Sequence, residues 1–140
     1  MTHMTDRQVW LVQTTFKQVL PIADHAAALF YAHLFTLDPT LRALFHGDMQ
    51  AQGRKLMTML RVVVKGLNRL EVLLPALHEL GRRHLEYGVT EAHYATVGAA
   101  LLWTLEQGLG ESFTPEVATA WSTAYSLLAE QMQEVALSVV

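Results

Sequence analysis

The stretch L-H-E-L-G-R-R-H-L-E-Y-G-V, Leu77–Val89, decides how this chain is read. Helical steps of four, seven and eleven residues back from His84 land on Leu80, Leu77 and Leu73, so the imidazole extends an apolar stripe. It should face inward. A neutral inward imidazole must satisfy two ring nitrogens: one can donate to a carbonyl a turn earlier, leaving the other free for a metal. Read alone, the residue is more simply a satisfied core histidine.

The helices on either side extend the pattern. The segment from Glu71, with Pro75 near its start, leads into the His84 helix, which stops before Gly88. Thr90 then caps a helix of about Glu91 to Gln107 that buries Tyr94, Val97, Gly98, Leu101 and Leu105. Gly108-Leu109-Gly110 ends it. Thr114-Pro115-Glu116 supplies a cap, a first-position proline and a first-turn acid for a last helix, whose inner face is Val117, Trp121, Tyr125, Leu128, Met132 and Val135.

Upstream, a helix of roughly Met49 to Gly66, capped by Asp48, buries Leu56, Met59, Leu60 and Val63, with Leu67 just beyond. Four residues before Leu56 stands Gln52, a polar amide heading an apolar face. It is either a solvated residue near a helix start or an inward donor, because a buried amide without partners costs roughly 1–3 kcal/mol. Asn68-Arg69 form a turn. Further back, Thr5 caps a first helix that buries Val9, Val12, Phe16 and Val19, and Pro21 breaks it. From Ile22 a second helix buries Ala26, Leu29, Phe30 and Leu34, with Tyr31 at the stripe edge, able to point either way. In F-T-L-D-P-T-L-R-A-L-F (35–45), Pro39 opens a short helical turn that ends in the cluster Leu41, Leu44 and Phe45. No strand-length alternating run occurs, so the class is all-α.

The composition sets limits. The 140 residues, 51% of them apolar, suit one compact domain spanning 1–140. A net charge of −3 and a pI near 6.1 argue against nucleic acid or an anionic membrane as partner. Without cysteine there is no disulfide, thiolate site or Fe–S cluster, and the chain begins without a signal-peptide pattern, so a cytoplasmic, soluble protein is expected.

Joined in order, Pro39 with Phe45, Gln52, and His84 followed by Tyr94 resemble the globin family over essentially the whole chain. More narrowly, F-Y-A-H-L-F (30–35), R-K-L-M (54–57), L-G-R-R-H (80–84), Y-G-V (87–89) and H-Y-A-T-V-G (93–98) look like bacterial single-domain haemoglobins. These are relatives of flavohaemoglobin globin domains and, in L-G-R-R-H, of neuroglobins. The spacings agree: thirty-two residues from Gln52 to His84, six from Pro39 to Phe45.

The resemblance implies a globin fold of six to eight helices with the D helix short or absent, enclosing one haem b (iron protoporphyrin IX). It implies that His84 is the proximal iron ligand, its second nitrogen oriented by the Leu80 carbonyl, and that Phe45 packs on the haem. Tyr31, Gln52 and Leu56 would line the distal pocket, with Tyr31 and Gln52 donating hydrogen bonds to bound dioxygen. Arg83, Lys55 and Arg54 are the candidates to meet the haem propionates. An apolar wall is expected from Phe30, Leu44, Phe45, Met59 and Leu60, continued by Val63, Leu80, Val89 and Val97. Tyr94 matches a tyrosine that supports the proximal histidine in the bacterial group. Where that group carries a supporting glutamate this chain has Ala136, with Glu134 two residues away. His46 and His33 are the nearest other histidines for a sixth ligand.

The implied function is tight, reversible dioxygen binding for storage, delivery or scavenging, by a monomer or weak dimer. The enzymatic alternative is nitric oxide dioxygenase drawing electrons from a separate reductase.

Overall fold

The computed structural model describes residues 3–138, with side chains through residue 134. Among the described residues there are six α-helices and no strand: α1 (Asp6–Val19), α2 (Ala23–Leu37), α3 (Met49–Lys65), α4 (Leu70–Glu86), α5 (Glu91–Leu109) and α6 (Pro115–Ser138). The expected all-α globin fold is what forms. Four 3-10 segments, Leu20–Ile22, Pro39–Leu44, Leu67–Arg69 and Gly110–Ser112, join them, and residues 45–48 carry no helix.

Local chemistry places the ends. The Thr5 hydroxyl accepts from the Gln8 amide while the Gln8 side chain accepts from the Thr5 amide, a reciprocal cap at the start of α1. Asp48 caps α3 through the Gln50 amide, at 3.0 Å. Pro21 opens a 3-10 turn between α1 and α2, so the chain changes direction there without a loop. At the other end of the pivotal stretch, α4 closes at Tyr87 and the chain leaves through Gly88 at φ 87°, a conformation glycine adopts without strain. Pro75 lies inside α4 rather than near a helix start, because the helix begins at Leu70, directly after the 3-10 turn.

α4 packs on α6, α2 crosses α5 and α3, and α1 packs on α6. The core they enclose is built from Val12, Phe16, Leu34, Leu77, Leu105 and Trp121, all nearly inaccessible. Val9, expected to be buried, is only half-buried; Leu11 takes the deeper position on α1. The polar groups inside are satisfied: Trp121 Nε1 donates to Thr15 Oγ1 at 2.9 Å, and Thr15 Oγ1 donates to the Leu11 carbonyl at 2.7 Å. Val135, expected on the α6 inner face, has a side chain outside the described residues.

Gly81 lets α4 come close to α6. A Cβ there would collide with the backbone of Met132, carbonyl oxygen first, so α4 reaches α6 only because residue 81 has no side chain. Gly81→Ala is expected to destabilise the fold by roughly 3 kcal/mol despite gaining helix propensity, because the obstacle is backbone that cannot rotate away. Urea unfolding measures it, with exposed Gly47, where an added methyl would meet nothing within 4 Å, as the comparison site. A loss at Gly81→Ala no larger than at Gly47→Ala would contradict the packing.

No helix among the described residues is long and apolar enough to cross a membrane.

Candidate functional site

α2, α3, α4 and α5 surround an open cleft of about 780 Å³, and an inner apolar cavity of about 170 Å³ adjoins it. Phe30, Leu56, Leu80, His84 and Val97 line both. The helical register that put His84 on the Leu73–Leu77–Leu80 stripe carries its ring to this shared wall.

His84 is half-buried, and its Nδ1 lies 2.7 Å from the Leu80 carbonyl oxygen, to which it donates. In the neutral ring that bond fixes the tautomer and leaves the Nε2 lone pair free to take a metal. The described residues hold no cluster of three His, Asp or Glu able to bind a metal by themselves. A metal at His84 would therefore take its other ligands from a group such as a porphyrin, and the apolar walls of the cleft suit one.

From α2, Tyr31 enters the cleft with only 7% of its surface exposed. Its ring is held edge-on by Phe30 at 5.0 Å and Phe45 at 5.3 Å, with Phe35 at 6.0 Å. Of the two orientations open to it, the inward one forms, because Phe35 and Phe45 supply an aromatic seat. Gln52 is half-buried on α3 and lines the same cleft, and its Nε2 donates to Tyr31 Oη at 3.3 Å. The phenol thus accepts from Gln52 and keeps its own proton to give elsewhere. Burial raises the Tyr31 pKa above the ordinary 10.0, with the Gln52 bond opposing it, so the hydroxyl stays a donor at neutral pH.

Most of the expected wall gathers here. Phe45 and Met59 line the cleft; Leu60, Val63, Val89 and Tyr94 line the inner cavity. Met59, read as core, is 36% exposed at the cleft mouth, one helical step outside the buried face. Leu44 is the exception: it lines neither cavity and instead packs on the core from the end of the Pro39–Leu44 turn. Arg54, Lys55 and Arg83 stand exposed at the cleft rim. Arg83 keeps only a 3.4 Å contact with Glu79, whose carboxyl is held below its usual pKa chiefly by Arg82. Arg82 itself is fully engaged with Glu79 and Glu86.

Neither alternative histidine reaches the site. His33 stacks flat on Trp103, rings 4.0 Å apart and 6° from parallel, on the α5 side of α2. His46 is exposed in the segment after the Pro39–Leu44 turn and lines neither cavity. Glu134 is also elsewhere: its Oε2 lies 3.5 Å from His78 Nε2 on the outer side of the α4–α6 contact, its side chain more than half exposed. The side chain of Ala136 lies outside the described residues.

Two residues gain weight from the structure. Tyr87, exposed at the end of α4, lines the cleft with its ring 6.3 Å from that of His84; it falls in the Y-G-V run, but its place beyond the apolar stripe gave it no role. Tyr125, read only as a core position, donates to the Tyr94 carbonyl at 2.6 Å, and burial followed by the proximity of Tyr94 pushes its pKa well up. Its ring occupies the space of a missing side chain at Gly98, where a Cβ would come within 2.7 Å of Cε2. The pair locks the first turn of α5, which sets Tyr94 with its ring 6.4 Å from that of His84.

Comparison with known proteins agrees with this geometry. The globin family profile matches residues 28–132. A flavohemoprotein of Bordetella parapertussis is 32% identical over 126 residues, and one of Vibrio cholerae 28% over 121. Those matches cover 85% and 81% of this chain, and the chain spans 31% of the length of each relative. Among solved structures, a hexacoordinated heme protein from an anhydrobiotic tardigrade superposes with a TM-score of 0.86 over 96% of both chains, at 18% identity, a likeness of fold alone. The sequence match over most of the chain and the helix order together place this protein in the globin family.

Proposed function

We propose that the cleft binds haem b through His84 and that the protein, in the cytoplasm, binds dioxygen reversibly and tightly at the ferrous iron. One observation carries this reading: a single cleft is lined by an imidazole with a free Nε2 and by a hydrogen-bonded Tyr31–Gln52 pair. Haem supplies there an iron that takes a diatomic ligand and makes its outer atoms more negative. The chain supplies the rest. His84, its Nδ1 held by Leu80, presents one nitrogen in one orientation. Tyr31 and Gln52 donate hydrogen bonds from an apolar surround, where each bond to a charged partner is worth roughly 1.5–3 kcal/mol. Phe30, Leu56 and Val97 keep water from competing, and Arg54, Lys55 and Arg83 meet the haem carboxylates at the rim.

Titration of the purified chain with haemin tests the reading. A stoichiometric Soret band, followed by a stable dioxygen complex after reduction, is expected. A chain that gains no Soret band would refute it.

A second reading is nitric oxide dioxygenation, favoured by the likeness to flavohemoproteins, two-thirds of whose length has no counterpart in this chain. That reading needs a source of electrons, which we propose to be a reductase. Sustained nitric oxide consumption with a generic reductase supports that reading; one stoichiometric burst supports the first.

A further inference from the structure

A separate cavity of about 410 Å³ lies between α2, the Pro39–Leu44 turn and the start of α3, sharing with the cleft only Tyr31 and Arg54. Its apolar floor exists because α2 presents alanines, Ala27, Ala28 and Ala32, where α3 presents Gly53. The helices touch there: a Cβ on Gly53 would stand 3.0 Å from the Ala27 Cβ. Phe35 forms one side, and its ring faces the Arg42 guanidinium at 5.8 Å.

The polar groups of this cavity are unevenly charged. Arg42 is held in place by donating to the Phe45 carbonyl at 2.8 Å, which neutralises none of its charge. Arg54 makes no ion pair among the described residues, and the one carboxylate in the lining, Asp24, is paired with neither arginine. Two cations against one anion, around an apolar floor, select a singly charged anion with a small apolar body. The volume falls within the roughly 300–1,000 Å³ typical of small-molecule sites.

We propose that this cavity binds a small amphipathic carboxylate, its apolar body on the alanine floor beside Phe35 and its carboxylate between Arg42 and Arg54. Because Tyr31 is a wall of both cavities, the ligand would touch the residue that faces the cleft. The site contains none of the His84 wall but shares Tyr31 and Arg54 with the cleft, so the haem-free chain tests it apart from haem binding.

Benzoate titrated into the full chain, haem-loaded and haem-free, is the test, read by NMR on the Ala28 and Ala32 methyls and the Tyr31 and Phe35 rings. Saturable shifts at roughly millimolar benzoate or below are expected in the haem-free form, with binding about tenfold weaker in the haem-loaded form, where a haem carboxylate shares Arg54. Arg54→Gln should weaken binding to the haem-free chain about tenfold through loss of one charge-assisted bond, and benzyl alcohol, similar in size but uncharged, should bind the unaltered chain at least about tenfold more weakly than benzoate does. Ala28→Phe, at an exposed position of α2, should abolish the shifts by filling the floor while leaving the helical circular dichroism unchanged. The proposal is overturned by shifts centred on Met59 and Tyr87 at the cleft mouth, by equal affinity for benzyl alcohol, by undiminished binding in Ala28→Phe, or by no saturable shift.

Discussion

Replacing His84 with glycine is expected to release haem at least about a hundredfold faster than the unaltered chain does, a loss of ~2.7 kcal/mol or more. The size follows from how alone His84 is. His33 is pinned in a flat stack on Trp103, His46 is exposed away from the cleft, and no other histidine among the described residues lines either cavity. Nor does the surround compensate, because the inner cavity is almost wholly apolar and offers no second imidazole beside His84. The glycine leaves a space of imidazole shape beneath the Leu80 carbonyl. Added imidazole should enter it, donate to that carbonyl, and restore both the Soret band and haem retention. Transfer of haem to an excess of acceptor apoprotein measures the rate. An unchanged rate, or imidazole without effect, would show that the metal is held elsewhere.

The same solitude explains what could be read from the sequence. Helical periodicity fixes directions within a helix, so the stripe Leu73–Leu77–Leu80–His84 was sufficient to aim the imidazole inward, and the i−4 carbonyl follows from helix geometry alone. Tyr31 was ambiguous because it sits at the edge of its stripe, and only the tertiary placement of Phe35 and Phe45 decides its orientation. Tyr125 was legible as core but not as a donor, since its partner is a backbone carbonyl on another helix, and no side-chain pattern marks that. Leu44 differs for another reason: its place on the wall was implied by likeness alone, and from the end of a 3-10 turn its side chain packs on the core instead. Glu134 shows the limit of carrying a position over by likeness: an offset of two residues is more than half a helical turn, and its carboxylate meets His78 instead of the inner cavity that Leu128, Ala129 and Met132 line.

Tyr31→Phe and Gln52→Val should each speed dioxygen dissociation about tenfold or more, since each removes one donor worth roughly 1.5–3 kcal/mol from an apolar pocket. Their combination should fall short of the product of the single effects. The reason is the 3.3 Å bond from Gln52 Nε2 to Tyr31 Oη: without it the phenol is less well oriented, so part of the Gln52→Val loss is already a Tyr31 loss. Stopped-flow displacement of dioxygen by carbon monoxide measures all four rates, and fully multiplicative effects would mean that the two donors act independently. Alkaline pH supplies a separate check on Tyr31. Burial raises its pKa above 10.0, so the donor proton is present throughout the range below that value and is lost only as pH rises through the higher folded pKa. The dissociation rate of the unaltered chain should accordingly be flat from neutral pH to about 10 and climb beyond it. In Tyr31→Phe the climb should vanish, because the group whose proton is lost is gone; a climb that persists there would assign the alkaline transition to Tyr94 or Tyr125, both of which burial also shifts upward.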